Sequence, residues 1–281
     1  MTTTDQRRAA VLSKPGPTAL FASRMDQRFS YCCYAPSSYS KESDRTYPLA
    51  VLVHGSLRNA DILRDEFIDF AEENQCVLLA PLFPCGIEEP GDTHNYKLIL
   101  YRGIRFDLLL LDMIEEISGV YRLQKDRVLM HGFSGGGQFV HRFFYLHPER
   151  LLGVSIGAPG TVTLPDENAD WWVGTRRMQE IFGRPFNPQA MRQVPVQLVV
   201  GEKDTETGTV VVKPTSALWT DGINDTGNTR IERLRALEAA FVGMGIAPRF
   251  DMVPGVGHRG GLVQQPVKAF FVDVLNGTTA A

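Results

Sequence analysis

A chain of 281 residues, 43% hydrophobic and 22% charged, has the composition of an ordinary globular protein with a sizeable core. A formal net charge of −3 gives no reason to expect a nucleic-acid or anionic-membrane partner. No apolar run approaches the roughly 20 residues that a membrane helix needs, so no membrane association is expected.

Met1 to Arg24 mixes charges and prolines without a continuous apolar stretch, so a secretory signal is not expected. Residues 1–26 read as an extended or poorly ordered lead-in. Phe29 to Ala35 is rich in aromatics and reads as an early strand. A polar turn from Pro36 to Arg45 leads to Leu49-Ala50-Val51-Leu52-Val53, uniformly apolar as a parallel strand covered on both faces should be. That run ends at His54-Gly55-Ser56. Asn59 is placed to cap a helix carrying Leu63, Phe67, Phe70 and Ala71 at helical spacing. Cys76 to Ala80 is the next buried strand, stopped by Pro81 and Pro84. A polar loop to about Leu98 follows, and then a helix from about Gly103 to Tyr121 with Leu110, Met113, Ile114 and Ile117 on one face.

The strand Arg127 to Met130 runs into Gly132-Phe133-Ser134-Gly135-Gly136 and a further helix, closed by His147-Pro148. After a strand over Leu151 to Ile156, residues 160–192 break the alternation and read as a small cap or lid insertion. Val196 to Val200 is a strand ending at Gly201-Glu202-Lys203-Asp204, and a long polar loop runs from Thr205 to Gly227. Thr229 to Glu232 fits a capping box, after which Ile231, Leu234, Leu237 and Phe241 form an apolar stripe. The last strand, Arg249 to Val253, leads to Gly257-His258. The closing helix, from about Pro266 to Leu275, faces Val267, Phe270, Phe271 and Val274 inward. Strands alternating with helices imply one α/β domain over 1–281, built on a mainly parallel sheet with helices on both faces.

The four cysteines (Cys32, Cys33, Cys76 and Cys85) have no zinc-type spacing and read as free thiols of a reducing, cytoplasmic location. Asn224-Asp225-Thr226 and Asn276-Gly277-Thr278 fit the glycosylation sequon but read as chance matches. No metal is implied, and no glycine-rich phosphate loop with a lysine is present, so a nucleotide cofactor is not expected. Nothing in the sequence fixes an oligomeric state, and a homo-oligomer is compatible with it.

Glycine at both ends of G-x-S-x-G, between an apolar strand and a helix, is the context of a nucleophile elbow, and Ser134 is its serine. A serine hydroxyl needs a base, and the base needs an acid to fix its tautomer. Of six histidines, His131 reads as structural, His141 and His147 lie on the helix behind the serine, and His94 precedes the serine in a loop. His258 sits in a glycine-flexed loop that can reach over the sheet edge. Asp204, at the mouth of the strand after the insertion, is the acid, with Glu202 and Glu206 as rivals and Asp221 and Asp225 deeper in the loop. Such loops gather at the carboxyl edge of a parallel sheet, where ligands bind. The N–H groups of Gly135 and Ser56 are the expected oxyanion donors. His54, Trp171, Trp172 and Trp219 are candidate substrate contacts, with Phe182 beside them, although each aromatic serves equally well to pack the insertion onto the body. Arg176 and Arg177 read as solvated charges that a substrate carboxylate could also meet.

His54-Gly55-Ser56, Gly132-Phe133-Ser134-Gly135-Gly136, Gly201-Glu202-Lys203-Asp204 and Gly257-His258 stand in the order nucleophile, acid, histidine, with the oxyanion segment first. In this the chain resembles serine hydrolases of the α/β-hydrolase superfamily, nearest to esterases and to polyhydroxybutyrate-depolymerase-like or feruloyl-esterase-like members. The resemblance spans roughly residues 29–275, and HGS replaces the glycine-rich HGGG of lipases. It implies the α/β-hydrolase fold, a Ser134–His258–Asp204 triad and hydrolysis of a small-molecule carboxylic ester through an acyl-enzyme. The same triad also serves peptidases, thioesterases, acyltransferases and C–C hydrolases, and a non-catalytic ligand-binding protein on this fold is the reading from another class.

Overall fold

The computed structural model describes residues 12–279. Contacts divide the chain into two units between Met130 and His131, and each is built by alternating strands and helices.

In the first unit, β1 (Gly16–Pro17) and β2 (Phe21–Ala22) each pair antiparallel with β3 (Ser30–Ala35). Part of the segment expected as a lead-in is thus hydrogen-bonded to a sheet, while residues 1–11 of it lie outside the described residues. β3 runs antiparallel to β5 (Val77–Leu82), and β5 is parallel to β4 (Leu49–Val53). β4 is buried at every position, as its unbroken apolar run requires. β5 continues through Pro81 rather than stopping before it: β4's register with it ends at Leu79, and Pro81 has only β3 as registered partner.

The helix expected after Asn59 is two helices, α1 (Ala60–Asp65) and α2 (Ile68–Asn74). Asn59 makes no side-chain capping bond, and the break is closed by Glu66 N–H to Ile62 O and Phe67 N–H to Arg64 O. A hairpin of β6 (Leu100–Tyr101) and β7 (Ile104–Arg105) occupies the start of the next expected helix, which begins only at Phe106 as α3 (Phe106–Ser118). Leu110, Met113, Ile114 and Ile117 of α3 are buried as their spacing predicts. All four cysteines are free: Cys32, Cys33 and Cys76 are buried and Cys85 is exposed. Burial pushes the Cys32 thiol up to about 11 and raises that of Cys76 as well.

Strand β8 (Val128–Phe133) carries the chain into the second unit, where it turns directly into α4 (Gly135–Leu146). β9 (Leu151–Gly157), β10 (Val196–Gly201) and β11 (Arg249–Val253) follow, with β10 parallel to both of the others. Between β9 and β10 lie turns and two short helices, α5 (Met178–Phe182) and α6 (Pro188–Met191). α4 and α8 (Gln264–Leu275) pack on β9, and α7 (Arg230–Gly243) packs on β10.

Polar side chains inside these strands are satisfied by one another. Ser155 Oγ donates to Gln197 Oε1 at 2.7 Å, and the Gln197 amide donates to Asp251 Oδ2 at 2.5 Å and to Pro266 O at 3.0 Å. His131 Nδ1 lies 3.0 Å from Ser155 Oγ. A buried polar group left unmatched here would cost about 1–3 kcal/mol, so the network holds the strands in register rather than merely tolerating polar residues.

α7 begins with the expected capping box: Thr229 Oγ1 accepts from Glu232 N–H at 3.2 Å, and Glu232 Oε2 accepts from Thr229 N–H at 3.0 Å. Leu234, Leu237 and Phe241 are buried, but Ile231 is only partly so. The buried places in the first turn belong to Arg230 and Arg233.

Candidate active site

Ser134 sits between β8 and α4 with φ 59° and ψ −112°, a conformation few L-residues adopt and one that stores about 1–3 kcal/mol of strain. It is held from both sides: Ser134 N–H donates to Gly157 O at 2.8 Å, and Ser134 O accepts from Gln138 N–H at 3.0 Å. The glycine at the start of the motif, Gly132, is required by distance. A Cβ on Gly132 would stand 2.5 Å from the carbonyl carbon and oxygen of Gly136. The sequence reads as a sharp turn because the two backbone segments nearly touch.

His258 is placed by a second close approach. Glu202 N–H donates to Val253 O at 3.0 Å, Lys203 N–H to Val256 O at 2.7 Å, and the Glu202 carboxylate accepts from Gly255 N–H at 2.7 Å. A Cβ on Gly201 would lie 2.5 Å from Gly257 O. The segment after β10 is thereby stitched to the segment after β11, which brings acid and histidine together. Glu202, a rival for the acid, serves as a strut in this stitching.

The result is a continuous chain of polar atoms. His258 Nδ1 is 2.6 Å from Asp204 Oδ2, and His258 Nε2 is 3.0 Å from Ser134 Oγ. A carboxylate only accepts, so Nδ1 carries the proton, Nε2 is the acceptor, and the serine hydroxyl donates to it. The Asp204 side chain has no solvent exposure, whereas that of His258 retains 26%. Phe133 flanks the imidazole with ring centroids 4.9 Å apart, and Gly260 leaves room for that ring.

A fourth residue completes the line. Arg230 Nη1 donates to Asp204 Oδ1 at 3.0 Å in a buried ion pair, and Nη2 donates to Thr209 Oγ1 at 2.9 Å. The sequence contained a signal for it: a cation in the first turn of a helix opposes the helix dipole and needs a reason to be there.

The remaining histidines have other work. His54 is fully buried: its Nδ1–H donates to Gly55 O at 2.8 Å and its Nε2 accepts from Phe83 N–H at 3.0 Å. The expectation that His54 contacts substrate is therefore corrected, since it has neither surface nor ring nitrogen to offer. Burial pushes the imidazoles of His54 and His131 down to about 4, and that of His141 well below its ordinary value. His141 gives Nδ1–H to Gly137 O and accepts Thr163 N–H at Nε2. Arg58 locks the Ser56 segment, donating to Ser56 O at 2.8 Å and to Thr93 O at 2.8 Å while stacking over Tyr96 at 5.0 Å.

The start of the 160–192 segment is anchored from behind. Buried Arg142 donates to Thr163 Oγ1 at 2.8 Å and to Thr161 Oγ1 at 3.1 Å, and Thr163 Oγ1 in turn donates to Trp172 O. Trp171 packs edge-on to Phe182 with centroids 4.8 Å apart, and Trp219 is 39% exposed on the 205–227 loop. Arg176 pairs with Asp170 and Arg177 with Glu180 at the surface. Among the described residues, no group of three His, Cys, Asp or Glu side chains is placed to hold a metal ion, and no helix is long and apolar enough to cross a membrane.

Neither a protein-family model nor a curated protein matches the chain. Solved structures do. The chain is similar to LpqC, a poly(3-hydroxybutyrate) depolymerase from Bordetella parapertussis, with TM-score 0.74 and 24% identity over 97% of this chain and 94% of that one. It is similar to poly(aspartic acid) hydrolase-1 from Sphingomonas sp. KT-1, with TM-score 0.71 and 22% identity over 91% and 98% of the two chains. An S-formylglutathione hydrolase from Agrobacterium tumefaciens follows at TM-score 0.58 and 17% identity, with 92% of each chain covered. The fold is that of the α/β hydrolases, with a mainly parallel sheet flanked by helices.

Proposed function

We propose, on this α/β-hydrolase fold, that the chain is a serine hydrolase that cleaves a carboxylic ester of a small molecule. The observation that carries the reading is the unbroken line Ser134 Oγ, His258 Nε2, His258 Nδ1, Asp204 Oδ2, at 3.0 and 2.6 Å. His258 takes the hydroxyl proton as Ser134 Oγ bonds to the acyl carbon, and Asp204 stabilises the imidazolium so formed. His258 then gives that proton to the departing alkoxide, leaving an acyl-serine. Water attacks the acyl carbon with His258 again as base, and the acid departs as Ser134 recovers its proton.

The developing oxyanion is met by the N–H of Gly135, at the start of α4. Within the first unit His54, by holding Gly55 O, fixes the plane of the Gly55–Ser56 peptide and hence the direction of the Ser56 N–H. Residues 160–192, with Trp171 and Trp172, and Trp219 on the following loop shape the acyl and alcohol sites. Neighbours on this fold include enzymes named for a polyester, for poly(aspartic acid) and for S-formylglutathione, which supports acyl hydrolysis as the reaction class and leaves the acyl group to be found by assay.

The test is Ser134→Ala against a panel of p-nitrophenyl esters, thioesters and amides, alongside labelling with a fluorophosphonate. Ester turnover should fall at least about 10⁴-fold while the fold is kept, and the probe should label the wild type at Ser134 alone. Turnover at the wild-type rate in the variant would sink the assignment. Absence of any adduct in the wild type would favour a binding protein.

A further inference from the structure

The acid of the triad is the least accessible member of the site and the one most dependent on its neighbours. Asp204 has no solvent exposure, and an ionised carboxylate without water needs both a countercharge and hydrogen bonds to remain ionised. One of its oxygens is taken by His258. The other is taken by Arg230, the first residue of α7, whose own side chain is 7% exposed.

Local physics argues against an arginine at that position. The positive end of the helix dipole disfavours a cation in the first turn, and burying a guanidinium is unfavourable without a partner. Among the described residues its Nε has no partner, and the guanidinium is held by Asp204 and Thr209. A residue that breaks two local preferences and makes its ion pair with the acid is there for the acid.

We propose that Arg230 is a positioning residue for the triad, setting both the rotation of the Asp204 carboxylate and the net charge that His258 meets. The assignment rests on the hydrolase reading above. The Nη1–H to Oδ1 bond stops the carboxylate from turning, so that Oδ2 stays on His258 Nδ1. The guanidinium also offsets part of the negative charge of the carboxylate that faces the imidazole. The link to Thr209 ties the 205–227 loop to the same carboxylate, so the loop that follows the acid is fixed by the acid's own partner.

The groups that meet the pair, and the charged residues next to it in sequence, come from several elements. Ser134 approaches from the elbow, Arg230 from α7, and Phe133 lends only its ring. Glu202 has its carboxylate on Gly255 N–H, Lys203 contributes its backbone N–H to Val256 O, and Arg259 follows His258 with its own N–H on Gly257 O.

Arg233 supplies the control within the same helix. It is equally buried, and it donates to Gly227 O at 2.9 Å, to Gly160 O and at 2.9 Å to Asn224 Oδ1, but not to Asp204. Loss of Arg233 should loosen the same loop without touching the acid.

The experiment compares Arg230→Gln, Arg230→Lys and Arg233→Gln by the pH profile of kcat/KM for a p-nitrophenyl ester. It adds an NMR titration of the His258 ring in a Ser134→Ala background. In Arg230→Gln, kcat should fall roughly tenfold, and the acidic limb should move to higher pH by about half to one unit, with the NMR titration moving alike. Arg230→Lys should restore the position of the limb, because the charge returns, while recovering kcat only in part. Arg233→Gln should lower the melting temperature and leave the limb where it is. An Arg230→Gln limb and NMR titration that coincide with wild type overturn the proposal, as does an equal displacement in Arg233→Gln. The NMR arm needs no turnover, so a failure of the hydrolase reading appears separately, as ester cleavage that survives Ser134→Ala.

Discussion

His54 and His258 look alike in the sequence: each stands next to a glycine and follows a strand. Their ring partners differ in kind. Both ring nitrogens of His54 meet backbone groups, Gly55 O and Phe83 N–H. Both ring nitrogens of His258 meet side chains, Asp204 and Ser134. A backbone amide can neither gain nor lose a proton, so His54 is locked in one tautomer and acts as a peg. A hydroxyl and a carboxylate exchange protons or answer charge, so His258 can act as a carrier. Position after a strand does not decide what a histidine does; the chemistry of its partners does.

Replacing each histidine breaks the comparison most directly. His258→Ala should lower ester turnover by roughly 10⁴-fold or more, while the urea midpoint stays near wild type, because the ring is partly solvent-exposed and its partners can take water. A variant that unfolds at markedly lower urea would make His258 a structural residue. His54→Ala should do the reverse, losing about 2–4 kcal/mol of stability by opening a cavity and stranding Phe83 N–H and Gly55 O. Equilibrium unfolding reads this, and unchanged stability would remove the peg.

The smallest effect is one of pH. His54 and His131 are held near 4 in the folded protein, by burial first of all, against about 6.5 in an unfolded chain. Below pH 6.5 the unfolded state binds protons that the folded state refuses, so their contribution to stability is whole above that pH and is lost as pH falls toward 4. Each should lower stability by at most about 1.4 kcal/mol per pH unit inside that window. The urea midpoint should therefore drop between pH 7 and pH 5, and drop less steeply in a His54→Phe variant. A midpoint flat across that range would contradict the buried, neutral histidines.

Much of the site could be read from residues because close approach demands particular ones. Gly132 and Gly136 face each other across a turn too tight for a Cβ, so the motif that marks Ser134 is a record of a distance. Gly201 records a second one: a Cβ there would run into the carbonyl oxygens of Val256 and Gly257, where the acid and histidine segments touch. The parallel strands were visible for a similar reason: burial on both faces leaves only apolar runs such as Leu49 to Val53.

Much of what escaped depends on partners distant in sequence. Ile231 fits a helical stripe, yet the buried places in that turn go to Arg230 and Arg233, whose partners lie 26 residues back at Asp204 and 73 back at Gly160. Pro81 reads as a strand stop until β3 is seen to be its registered partner. The break between α1 and α2 carries no proline or glycine, and the β6–β7 hairpin hides in a stretch that also fits a helix start. Periodicity reports which face is apolar, and it is silent about a buried charge with a designated partner.

The arrangement of the thiols turns the protein into its own gauge of folding. Cys32, Cys33 and Cys76 are shut inside the first unit and Cys85 stands in the open. A fast thiol reagent therefore finds one reactive group on each folded molecule and four on each unfolded one. The stoichiometry of a brief labelling pulse counts intact chains, variant by variant, with no need for a substrate.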